Sequence, residues 1–114
     1  MSVFDPQPLA KLAADMQDPR FARTFAEKYR SLLEHRVTRI IAALRDSDLI
    51  EAMDAVLSLK VASTSVGTSE LAELALMIER EVRAQDAAAA RTRASLLPDA
   101  ARRADAALTA HLSR

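Results

Sequence analysis

The chain has 114 residues, in which sixteen Lys and Arg balance sixteen Asp and Glu, and it contains no cysteine. That length suits one domain, residues 1–114, with a modest core. The charge balance leaves no global field to draw nucleic acid or an anionic membrane. The missing thiols exclude disulfides, thiolate zinc sites and cysteine nucleophiles, and fit the reducing cytoplasm.

The opening MSVFDPQPLA has no basic region followed by an apolar run, and no stretch nears about eighteen uninterrupted apolar residues, so neither export nor a membrane span is expected. Half of the residues are hydrophobic, yet only one Gly and four Pro interrupt them, and alanine dominates from Ala84 to Ala110. Few breakers and much alanine predict helix.

Asp5-Pro6 reads as a helix start, and a short first helix runs to about Met16. Asp18-Pro19 repeats the signal and opens a long second helix. Its Phe21, Phe25, Tyr29, Leu32, Leu33, Arg36, Ile40 and Leu44 recur at three- and four-residue steps, and it ends near Arg45, at Asp46-Ser47-Asp48. A third helix takes Asp48 as its cap and runs to about Val66, where Gly67 closes it in the left-handed conformation that glycine adopts most cheaply. Thr68 or Ser69 caps a fourth helix with Leu71, Leu74, Ala75, Ile78 and Val82 in one stripe. Gln85-Asp86 separates it from a fifth segment, Ala87 to about Leu112, which Pro98 should kink or break. Short connections force neighbouring helices to run antiparallel. The expected architecture is all-α, an up-and-down four-helix bundle with a short N-terminal helix laid across one end.

On the third helix Ala52, Ala55, Val56, Leu59, Ala62 or Ser63, and Val66 make one apolar face. Ile50, Met53, Leu57 and Val61 make a second apolar stripe roughly 160° away. His35 lies about 130° from the centre of the second helix's apolar face and should be exposed, while His111 falls on the apolar side of the last helix close to Arg114. Two histidines so far apart do not make a metal site, and no cofactor is implied. No Ser-His-Asp order, glycine-rich phosphate loop or paired inward carboxylates point to an enzyme. Arg91, Arg93, Arg102 and Arg103 are diluted by Asp99 and Asp105, with no aromatic residues interleaved for base stacking. Charged residues on the second and fourth helices, among them Glu27, Arg30, Glu70, Glu73, Arg80 and Arg83, read as solvated faces joined by weak pairs along each helix.

Residues 48 to 79, DLIEAMDAVLSLKVASTSVGTSELAELALMIE, resemble the central helical hairpin of histidine-containing phosphotransfer (HPt) domains. That family reads approximately His-x-Leu-Lys-Gly-Ser, then small residues, Gly, Leu-Ala-x-Leu-Ala and a Glu. Leu59, Lys60, Gly67, Leu71, Ala72, Leu74, Ala75 and Glu79 fall on that pattern, and FAEKYRSLLEHRVTRIIAAL and the Gln85-Asp86 break also follow its layout.

The phosphoacceptor position aligns with Leu57, which has no nucleophilic atom. The family's small Gly becomes Val61 and its Ser becomes Ala62, leaving only Lys60 of the reactive shell, expected here as a solvated charge. The resemblance implies an HPt-like protein of two-component phosphorelay signalling that cannot transfer phosphate, a pseudo-HPt docking or adaptor module. Its contact would centre on Ile50, Met53, Leu57 and Val61, with Ser58 and Lys60 at the rim. The partner would be a receiver domain, a histidine-kinase domain or a second copy of the chain. Phosphotransfer through His35, and a purely structural helical homodimer, are the alternatives.

Overall fold

The structure is a computed structural model that describes residues 2–114. Among these it is all-α, with no strand: α1 (Gln7–Met16), α2 (Pro19–Arg45), α3 (Leu49–Val66), α4 (Ser69–Arg83), α5 (Ala87–Ala94) and α6 (Leu97–Leu112). The 27 residues of α2 reach about 40 Å at 1.5 Å per residue, which accounts for the long dimension of a body measuring 42 × 23 × 23 Å.

Aspartates start the helices as their local chemistry dictates. Asp18, Asp48 and Asp86 each accept a backbone N–H from the first turn that follows, from Arg20, Glu51 and Ala89 respectively, at 2.9 to 3.0 Å. Asp5 does the same for Gln7 at 3.0 Å, although α1 begins one residue past Pro6.

Four of the five junctions share one device. The first or second residue after each helix turns left-handed: Gln17 (φ 54°), Ser47 (φ 56°), Gly67 (φ 98°) and Gln85 (φ 58°). The next residue then donates its backbone N–H to a carbonyl five positions back. These bonds run from Asp18 to Ala13, Asp48 to Ala43, Thr68 to Ser63 and Asp86 to Glu81, at 2.9 to 3.1 Å. Each closing residue therefore leads directly into the next start, and there is no slack between rods. The fifth junction is the break expected near Pro98. It falls at Ser95-Leu96, with Pro98 inside the first turn of α6, where its missing N–H costs nothing.

The core joins Ala26, Tyr29, Leu33, Ile40 and Leu44 of α2 to Ala52, Val56, Leu59 and Val66 of α3. Leu71, Ala75 and Ile78 of α4 and Leu97, Ala104 and Leu108 of α6 complete it. α3 packs most heavily on α4 and α2, while α1 lies against α2 and α3. The hydroxyl of Tyr29, deep among these groups, meets Ser63 Oγ at 2.9 Å and Thr68 Oγ1 at 2.8 Å. Thr68 consequently does not cap α4 with its side chain, and burial pushes the phenol of Tyr29 up, with its two hydroxyl partners opposing the shift.

Candidate functional site

α3 lies between α2 and α4, and its two apolar stripes have different fates. Ala52, Ala55, Val56, Leu59, Ser63 and Val66 are buried, with Ala62 half-buried at their flank. On the outer side Ile50 is 88% exposed and Val61 62% exposed. Met53 and Leu57, between them, are half-buried. The row is graded: open at both ends and partly sunk in the middle. Ile50, Met53, Asp54 and Leu57 line a shallow groove of about 460 Å³ with Val82 and Arg83 of α4. Val61 lies beyond it toward the C-terminal end of α3, and Ser58 is half-buried.

Ionic clusters border the row on both sides. Toward α4, Lys60 Nζ donates to Glu79 Oε1 at 2.6 Å, and Arg83 Nη2 donates to Glu79 Oε2 at 2.9 Å. Glu79 is only 7% exposed, and the ammonium of Lys60, followed by the Arg83 guanidinium, holds its carboxyl below the usual glutamate range. Lys60 is thus not the free solvated charge expected from the sequence. It lies one helix surface away from a buried carboxylate that fixes its amine. Toward α2, Arg39 bridges Glu51 and Asp54 of α3, and these two carboxylates hold the guanidinium firmly protonated.

The row itself carries no nucleophile, and Lys60, the amine beside it, is bound to Glu79. This arrangement can bury apolar surface against another molecule, with charged groups at both margins. His35 is exposed on α2, as its angular position required. His111 is half-buried on α6, its ring 5.1 Å from that of Phe4. Among the described residues, no group of three or more His, Asp or Glu side chains could hold a metal ion, and no helix is long and apolar enough to cross a membrane.

No family model, curated protein or solved structure matches the chain.

Pairs along single helices form as expected between Glu27 and Arg30 and between Glu79 and Arg83, and other charges pair across helices. Glu70 of α4 takes a two-pronged contact from Arg103 of α6, Glu81 takes one from Arg93 of α5, and Arg30 of α2 reaches Asp105 of α6 as well as Glu27. Arg103 and Arg93 are therefore bound to carboxylates. Sequence reasoning missed Glu79 as the anchor of Lys60. The signal available was Glu79 four residues before Arg83, on the flank of α4 next to its apolar stripe.

Proposed function

We propose that this chain is a docking module of the HPt type that has lost its phosphoacceptor and binds a receiver or histidine-kinase domain of a cytoplasmic phosphorelay through the outer side of α3. In this reading α2, α3, α4 and the broken α5–α6 rod are the four members of an antiparallel up-and-down bundle, with α1 as its short N-terminal addition. The observation that carries it is the outer row of α3. Leu57 stands at the resemblance's phosphoacceptor position, opposite the buried row, with exposed Ile50 and Val61 on either side of it along the helix. Three further points support it: Gly67 closes α3 at the spacing the resemblance requires, Lys60 is held by Glu79, and Val61 fills the place of a small residue. Apolar residues left at a surface between charged margins are what a protein contact uses.

The test uses residues already in solvent, so that binding and folding separate. Ile50→Asp and Val61→Asp are expected to weaken binding to purified receiver or kinase domains at least roughly tenfold, measured by calorimetry, while helicity and melting temperature stay near those of the wild type. Incubation with an active kinase should leave the wild type unlabelled. A base-stable, acid-labile phosphate that disappears in His35→Gln would replace this reading with active transfer through the exposed His35.

A further inference from the structure

The docking reading names a surface, and the charges beside that surface select an occupant. The outer row of α3 separates two clusters of opposite net sign. On the α4 side, Lys60 and Arg83 outweigh Glu79; on the α2 side, Glu51 and Asp54 outweigh Arg39. Each cluster therefore carries one surplus charge, positive along one margin and negative along the other. The most exposed members, Arg83 and Asp54, have side chains 62% and 75% exposed, and both line the same groove, at the level of Met53.

Such a margin pair is complementary to itself under one symmetry operation only. A two-fold axis running along α3 brings the positive margin of one copy onto the negative margin of the other at the same height. A two-fold axis across α3 brings like margins together. From this, and resting on the reading of the α3 outer row as a docking surface, we infer that the occupant is a second copy of the chain. The two α3 helices lie side by side and parallel. Ile50, Met53, Leu57 and Val61 meet their counterparts, and Arg83 of each copy faces Asp54 of the other. The apolar row is about 17 Å long from Ile50 to Val61, so the contact is small and the dimer forms at high micromolar concentration. A dimer of this kind also covers the row, so self-association and capture of a receiver or kinase domain exclude one another.

The geometry makes a test that does not depend on any single variant behaving well. By symmetry, Asp54→Arg places arginine against arginine along both margins of a homodimer, and Arg83→Glu places carboxylate against carboxylate. Mixing the two variants creates a heterodimer in which both contacts are again between opposite charges. In sedimentation velocity up to about 0.5 mM, the wild type should dimerise, and each variant alone should dissociate roughly tenfold or more readily. The one-to-one mixture should recover the wild-type dimer. Circular dichroism on each variant checks that both remain folded.

A wild type that stays monomeric throughout that range overturns the inference, while the binding experiment with receiver and kinase domains still decides the docking reading independently. A dimer indifferent to both substitutions, or one weakened by them without recovery in the mixture, also overturns it, because the axis then does not run along α3.

Discussion

At Gly67 two demands coincide. Its φ of 98° suits glycine, and a Cβ built there would lie 2.1 Å from the backbone oxygen of Asp5, whose own N–H donates to the Gly67 carbonyl at 2.7 Å. Gly67→Ala must therefore both strain the turn and push the Asp5 segment off it. A loss of about 2 kcal/mol or more is expected in urea unfolding, together with faster amide exchange at Asp5. Glu79 makes a different prediction. Its carboxyl is held below the ordinary range in the folded state, so its ionic contribution is present above the unfolded glutamate pKa and is lost as pH falls through the lower folded value. Glu79→Gln should lower stability by about 1–2 kcal/mol at pH 7. The gap between variant and wild type should narrow once pH falls past the unfolded glutamate value and close below the lower folded one, where the wild-type carboxyl is itself protonated. Unfolding curves at several pH values check both the size and the sign.

The junctions decide how the rods are joined. Three of the four left-handed closing residues are not glycine, and each carries a conformational cost of about 1 kcal/mol that glycine would largely avoid. Gln17→Gly, Ser47→Gly and Gln85→Gly should each stabilise the fold by about 0.5 kcal/mol, with effects that add because the sites are separate; thermal melts of the triple variant measure the sum. These junctions also divide what the sequence discloses from what it conceals. Asp18, Asp48, Asp86 and Gly67 are legible because a cap acts on its own neighbours. The left-handed Gln17 and Gln85 are not, since no intrinsic preference places them there and the packing of the adjoining helices imposes the turn. Of the two candidate caps Thr68 and Ser69, Thr68 is the residue that precedes α4, yet its hydroxyl serves Tyr29, 39 residues earlier, which no local pattern announces. The candidate site divides the same way. Helical spacing showed the two apolar stripes of α3 but not which of them faces out, and the half-burial of Met53 and Leu57 depends on how close Val82 and Arg83 of α4 come.

For the molecule as a whole, the core has no dispensable wall. Leu97, Ala100, Ala104 and Leu108 of α6 are all fully buried against α2 and α4, although α6 lies last in the chain. A variant ending at Ala94 exposes the groups they cover and loses two completely buried leucines, each worth about 2 kcal/mol or more in transfer alone. It should lose the sharp thermal transition and the dispersed NMR amide spectrum of the intact chain, while retaining some helical signal. A sharp transition in that variant would mean that α1 to α5 form a sufficient core. The all-helical character was legible from scarce breakers and abundant alanine. The ion pairs from α2, α5 and α6 to distant helices were not, because long cationic side chains reach across a gap that periodicity does not describe.

Phe4 lies against His111, and the carbonyl of Leu112 accepts from Arg23 near the beginning of α2, so Phe4 and the end of α6 gather at the pole where Asp5 clasps Gly67. Ile50 sits at the opposite pole, about 25 Å away along α3. A reporter attached at Ser2 or Ser113 therefore hangs clear of it.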